Sequence, residues 1–225
     1  MKLEPISKAE AARYMGIKGE PDRAASELLD RAEKLVREKV SPQYVYRETS
    51  AELCSNGVKL GCMDTLLSGN SIRKHLEGCE RAILLAVTLS AEADKLIRQA
   101  AVSDVAFSLA VDCICSAAVE QVCNRAEEEI FADKPEVYRT WRFSPGYDDL
   151  PIELQKELLT ALNGQRRIGL TVTESFLLLP TKSVTAIIGI SSNPISKGEH
   201  GCAVCSRRDN CNYSKNNLKT CCYSV

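Results

Sequence analysis

The chain has 225 residues, enough for one substantial hydrophobic core. Its 29 basic and 30 acidic residues nearly cancel, so no overall field draws it to nucleic acid or to an anionic membrane. The stretch from Met1 to Gly16 holds no apolar run of signal-peptide length. The longest unbroken apolar runs, Ala82 to Val87 and Phe176 to Leu179, fall far short of the roughly 20 residues that span a bilayer. A cytoplasmic protein without a membrane segment is expected, and in a reducing compartment its 11 cysteines point to thiols or metal ligands rather than disulfides.

In chain order, Ser7-Lys8-Ala9-Glu10 has the spacing of a capping box and predicts a short helix up to about Gly16. From Asp22 to Val40 the apolar positions Ala25, Leu28, Leu29, Ala32, Leu35, Val36 and Val40 keep helical spacing. Tyr44 and Tyr46 alternate with polar residues, and Val58-Lys59-Leu60 follows Asn56-Gly57, which predicts an antiparallel hairpin. Arg81 to Thr88 reads as a fuller strand. Ser90 is then expected to cap a helix starting at Ala91, and a long helix rich in small residues is expected from about Ser103 to Ile130. Leu150 to Leu162 predicts another helix that Gly164 ends, and strands are expected over Ile168 to Val172 and Ser183 to Ile190. Hairpin signals interspersed with helices favour an α+β fold over a doubly wound one. From Ser191 the composition turns to Gly, Ser, Asn, Cys and Lys, so residues 1–194 are expected to form the body and 195–225 a Cys-rich tail.

Arg142-Phe143-Ser144-Pro145-Gly146-Tyr147 is expected in a loop between two helices. It can present a guanidinium fork, backbone amides and an aromatic ring to a ligand that carries an amino-acid end and a flat base; the alternative, which this segment by itself favours, is a Pro-Gly turn with a surface arginine. Glu120 shares a helical stripe with Ala106, Ala110, Cys113 and Ala117, where a carboxylate requires a cation: a charged ligand, Arg142 or Arg125. Thr173-Glu174-Ser175 is a second polar cluster, read first as strand-end hydrogen bonding, with Glu174 kept as a candidate ligand contact.

Arg142 to Tyr147 resembles the Arg-x-x-x-Gly-Tyr motif of the activation domain of cobalamin-dependent methionine synthase. Leu170-Thr171-Val172-Thr173-Glu174-Ser175-Phe176, Pro180 and Ser183-Val184-Thr185 resemble the segment that follows in that family. Tyr14-Met15-Gly16 and Ala86-Val87-Thr88-Leu89-Ser90 fit the same order, so the likeness spans about Glu10 to Pro194. The resemblance implies an antiparallel sheet with flanking helices and binding of S-adenosylmethionine, with Arg142, Ser144, Gly146, Tyr147, Glu120 and Glu174 in the ligand site. It also implies cobalamin carried by a partner methionine synthase or corrinoid protein, an electron from a flavodoxin-like donor, and methyl transfer that restores methylcobalamin. An accessory, free-standing reactivation protein is expected. The chain departs from the family after Tyr147, where Asp148-Asp149-Leu150-Pro151 replaces Cys-Pro, and beyond Pro194, where an aromatic run is missing. No Asp-x-His-x-x-Gly cobalamin-ligand motif occurs.

In the tail, Cys202-x2-Cys205 is followed by Cys211 and Cys221-Cys222. A CxxC pair completed by Cys211 and Cys221 could hold zinc or an iron-sulfur cluster; a tail of reduced thiols is the alternative. A metal-sulfur electron-transfer or docking protein is therefore the rival reading. The remaining cysteines, Cys54, Cys62, Cys79, Cys113, Cys115 and Cys123, are expected as small core residues.

Overall fold

A computed structural model describes residues 1–195. In chain order it places α1 (Lys8–Tyr14), α2 (Arg23–Lys39), β1 (Gln43–Cys54), β2 (Gly57–Leu60), β3 (Leu67–Ser68), α3 (Asn70–His75), β4 (Arg81–Thr88) and α4 (Ala91–Ser103). There follow α5 (Val105–Phe131), β5 (Tyr138–Arg139), α6 (Leu154–Leu162), α7 (Gly164–Ile168), β6 (Thr171–Val172), β7 (Leu178–Leu179) and β8 (Ser183–Ser191). Six strands form one sheet in the order β3-β2-β1-β4-β8-β5, every pairing antiparallel. The α+β expectation is met.

The unbroken apolar run of β4 follows from its place at the centre. Ile83, Leu85 and Val87 point to one face, where they meet α1, α2, α4 and α5; Ala82, Leu84 and Ala86 point to the other, toward α3 and α6. A strand covered on both sides has no solvent face to mark with polar residues. β1 borders it and alternates: Val45 is buried while Tyr46 stands exposed. The antiparallel hairpin expected around Asn56-Gly57 forms, but its connection is Ser55-Asn56, with Gly57 already paired to Cys54 at the start of β2.

The unbroken apolar runs of the sequence are short, yet α5, with 27 residues, is long and apolar enough by length and composition to cross a membrane. In the fold 56% of its apolar window is buried inside the body, as in the central helix of a core. Its small residues Ala110, Ala117, Ala118 and Ala126 let the neighbouring helices and the sheet come close. Its N-cap is Asp104, whose carboxylate accepts the Phe107 N–H at 2.9 Å.

Several boundaries differ from expectation for local reasons. Ser7 accepts the Glu10 N–H at 3.2 Å, but the Glu10 carboxylate turns to Arg13 instead of closing the capping box. Ser90 holds the N-cap position of α4 at φ 69° without a side-chain cap bond. The helix expected from Leu150 begins at Leu154; Asn163, in the left-handed region, ends it, and Gly164 opens α7, which takes Ile168, so that of the strand expected over Ile168 to Val172 only Thr171 and Val172 pair, as β6. Cys79, Cys113, Cys115 and Cys123 are buried, whereas Cys54 and Cys62 are only partly covered. Burial raises the thiol pKa of Cys113 to about 11 and of Cys115 to about 12, so both stay protonated at neutral pH.

β8 crosses the sheet beside β4 and carries Gly189 where there is no room for a side chain. A Cβ there would lie 2.6 Å from Cys79 Sγ and 2.8 Å from a Leu76 methyl. Gly189→Ala is expected to destabilise the domain by about 1–3 kcal/mol, the range for overpacking a filled core. Urea denaturation checks this, and an unchanged midpoint would show that the site can relax.

Candidate functional site

The site is built where β5 leaves the sheet edge. Arg139 pairs with Ile190 and Phe143 bridges to Ile187, so the edge chain takes four steps where β8 takes three. This is a β-bulge, and its extra residue puts Thr140 and Trp141 on the same face. The Thr140 hydroxyl occupies the irregularity: it accepts the Gly189 N–H at 2.7 Å and bonds His75 Nε2 at 2.8 Å. His75 is a half-buried, neutral imidazole whose pKa is brought down to about 4 by desolvation. Arg142, one step past the bulge, is thereby aimed at α5, while Trp141 and Phe143 join His75 in an aromatic cluster on the α3–α6 face. Arg142 to Tyr147 lies, as expected, in the connection between α5 and α6, tied to the sheet edge by the isolated Phe143–Ile187 bridge.

Arg142 is only 8% exposed, and its fork is engaged by α5. One terminal nitrogen donates to the buried Glu127; the other donates to Glu120 at 3.2 Å and to Asn124 Oδ1 at 2.9 Å. The guanidinium expected to pair with a ligand carboxylate therefore pairs with two protein carboxylates, because a buried arginine without partners would be prohibitively costly. Of the cations left open for Glu120, Arg142 is the one it meets. Glu120, Asn124 and Glu127 lie at i, i+4 and i+7 on one helical face, a periodicity legible in the sequence although only Glu120 was singled out. The small-residue stripe exists as read from Ala110 through Cys113 to Ala117, all buried, and surfaces at Glu120; Ala106 is exposed.

Two carboxylates against one guanidinium leave the cluster one negative charge in excess. Glu127 is sealed in, whereas the Glu120 side chain retains 31% exposure and is the face the cluster shows to solvent. Burial raises the Glu120 pKa above the ordinary carboxylate value, and Arg142 only partly offsets this. From α1, Glu10 and Arg13 also bear electrostatically on Glu120. Arg142 keeps its charge: burial opposes it, but the surrounding Cys123, Glu127 and Glu120 hold its pKa above the ordinary value.

The rest of the motif turns to the opposite side of the sheet edge. Ser144 is half-buried and its carbonyl accepts the Tyr147 N–H at 3.1 Å, while the Gly146 N–H donates to the Leu150 carbonyl at 2.9 Å. Gly146 has φ +83°, a left-handed value that favours glycine there. The Tyr147 ring packs edge-on against Phe143 at 5.5 Å and Trp141 at 5.8 Å. Arg142 and Tyr147 therefore serve opposite faces of one edge. Glu174 sits on the exposed turn between β6 and β7, where Thr173 Oγ1 accepts the Leu177 N–H at 3.0 Å. That is the strand-end bonding expected of the cluster, and no hydrogen bond or ion pair links Glu174 to Arg142 or Glu120.

Asp148 and Asp149, where the chain departs from the family pattern, have a structural task. Asp149 accepts the N–H groups of Asn70 at 2.7 Å and Ser71 at 3.1 Å, and Asp148 bonds the Ser71 hydroxyl. Asp149 thus caps α3 from a distant part of the chain and ties the Tyr147 turn to it. Partial burial opposes its charge, but these N–H bonds outweigh it and hold its pKa below the ordinary value. The candidate metal ligands Cys202, Cys205, Cys211 and Cys221 lie outside the described residues. Among the described residues no three His, Cys, Asp or Glu side chains gather as a metal site.

The geometry defines an α+β domain with a buried arginine–carboxylate cluster on one side of its sheet edge and an aromatic turn on the other. The profile of the family described as vitamin B12 dependent methionine synthase, activation domain, matches residues 84–216. The chain belongs to that family. A crystal structure of the MetH reactivation domain bound to AdoHcy shares the fold, with a TM-score of 0.63 over 86% of this chain and 76% of that one, at 17% sequence identity. No curated protein sequence matches the chain.

Asp149→Ala is expected to lower stability by about 1 kcal/mol, as for loss of a helix cap. A carboxylate with a depressed pKa contributes above its unfolded value and loses that contribution as pH falls through its folded value. The difference between wild type and variant should therefore shrink in denaturation curves taken below pH ~4; a constant difference would show that the charge of Asp149 is immaterial.

Proposed function

We propose that this chain binds S-adenosylmethionine and serves the reductive methylation of cobalamin carried by a partner methionine synthase or related corrinoid protein. Membership of the activation-domain family supports the role, and the AdoHcy bound to the structural neighbour, the demethylated form of this ligand, supports its chemistry. The observation that carries the reading is the excess negative charge of the Arg142 cluster, exposed through Glu120. A sulfonium or ammonium group seeks a fixed anion shielded from water, and Glu120 provides one. Arg142, with Glu127 behind it, holds Glu120 in place and so acts on the ligand through its neighbour. Ser144 and Gly146 offer backbone edges to a base, and Tyr147 offers a ring to pack on it. Glu174, on its exposed turn, is a further candidate contact of this reading.

When bound, S-adenosylmethionine supplies the methyl group that passes to the reduced cobalt of the partner's cobalamin, after one electron from a flavodoxin-like donor, and leaves as S-adenosylhomocysteine. This chain's task is to hold the donor and fix its charge. Residues 1–194 are the unit to which this reading assigns the work, as an accessory protein to the corrinoid carrier.

Calorimetric titration with S-adenosylmethionine tests the reading. Glu120→Gln should weaken binding by about tenfold or more, the cost of losing a hydrogen bond to a charged group. The pH dependence has a definite sign. Protonation neutralises Glu120, and its pKa lies above the ordinary value of 4.5, so affinity should fall on acidification at a higher pH than for an exposed glutamate, and the Gln variant should lack that step. Absence of binding by wild type would overturn the proposal.

A further inference from the structure

The two sides of β1 are used unequally. Gln43 to Ser50 pair with β4, whereas β2 pairs only with Ala51 to Cys54. At the junction the Ala51 N–H donates to Glu80, on the β4 side, at 2.9 Å, and the Ser50 carbonyl accepts the Gly61 N–H, on the β2 side, at 3.0 Å. Backbone groups alternate sides along an antiparallel strand, so the N–H and C=O of Tyr44, Tyr46 and Glu48 point away from β4. β2 stops short of them, and among the described residues no backbone hydrogen bond reaches these groups.

Sheet edges are ordinarily guarded by free charges, proline, a bulge or a covering element. Here the guards are missing or engaged elsewhere. Gln43 to Ser50 holds no proline and pairs with β4 in unbroken register, so no bulge twists the strand away. Arg47 turns to α6 and donates to the Ala161 carbonyl at 3.1 Å. Glu48 is held by Arg81 and by Lys134, the latter at 2.8 Å. Midway along the open stretch Tyr46 stands 40% exposed. Such an edge is a template for one more strand.

We propose that this edge pairs with the same edge of a second copy of the chain, antiparallel about a two-fold axis at Tyr46. In that register Tyr46 faces Tyr46 and Tyr44 of each copy faces Glu48 of the other, so every outward N–H meets a C=O. Moving the axis to Arg47 would set two arginines opposite each other and bring Tyr44 against Ser50, whose carbonyl Gly61 already occupies. Moving it to Val45 would bring Glu48 against Pro42, which has no N–H to offer. One patch thus serves both copies, as a closed dimer requires. β4 and β8 lie between this edge and β5, so the pairing leaves the Arg142 side of the sheet untouched.

Sedimentation of the full chain over a range of concentrations, with residue-resolved amide exchange at each, is the test. Wild type should dimerise, and the amides of Tyr44, Tyr46 and Glu48 should exchange at least about tenfold more slowly in the dimer than in the dilute monomer, while those of Val45 and Arg47, on the β4 side, stay unchanged. Tyr46→Lys should weaken the dimer by about tenfold or more, because it replaces an aromatic pair with two like charges, whereas Tyr46→Phe should leave it intact. A chain that stays monomeric throughout would overturn the proposal. So would a dimer that Tyr46→Lys leaves undiminished, or one whose outward amides exchange as fast as in the monomer, for either would place the interface elsewhere. Protection of those amides in the monomer would overturn it too, by showing that the chain covers its own edge.

Discussion

Burying a guanidinium against a sheet edge is unfavourable unless its charge is paired, and the carboxylates that pair Arg142 both come from α5. Much else follows from that one requirement. α5 must present carboxylates on the face turned toward the edge, which it does with Glu120 and Glu127, and must lie close enough to reach it, which its small residues allow. The edge chain must turn Arg142 inward after Arg139, and the bulge at Thr140 and Trp141 accomplishes that change of face. The sealed Glu127 anchors the arginine, leaving Glu120 as a positioned anion at the surface.

The same bulge divides the motif between two environments. On the α5 side lie charges in a poorly hydrated setting, where electrostatic effects are strong. On the α3–α6 side lie His75, Trp141, Phe143 and Tyr147, an apolar and aromatic platform stiffened by the Thr140 hydroxyl and by the aspartate cap on α3. A ligand with a charged end and a flat base has two unlike halves, and a sheet edge with unlike faces is a scaffold that can hold both. Rigid strands position such groups more exactly than a free loop would.

The α+β class, the central strand, the long small-residue helix and the grouping of Glu120 with Arg142 were legible in the sequence, because each rests on local periodicity or on the cost of an isolated charge. The bulge was not: it depends on which residue of β8 opposes which residue of the edge, and nothing local to Arg142–Tyr147 encodes that register. The occupancy of the Arg142 fork was hidden for a similar reason, since Asn124 and Glu127 read as ordinary polar positions until the helix is docked. Asp149 looked like a loss of family pattern, and its task as the cap of α3 emerges only when residues 70 and 149 are brought together.

The central claim is that Arg142 and Glu127 form one buried unit on which the placement of Glu120 depends. A double-mutant cycle measured by chemical denaturation, with Arg142→Met, Glu127→Gln and the pair together, tests it most directly. Removing either partner alone should cost about 3–5 kcal/mol, because the other is left buried without a counter-charge, and the double variant should lose far less than the sum. Small and additive losses would contradict the account, for they would mean that the two side chains stand independently.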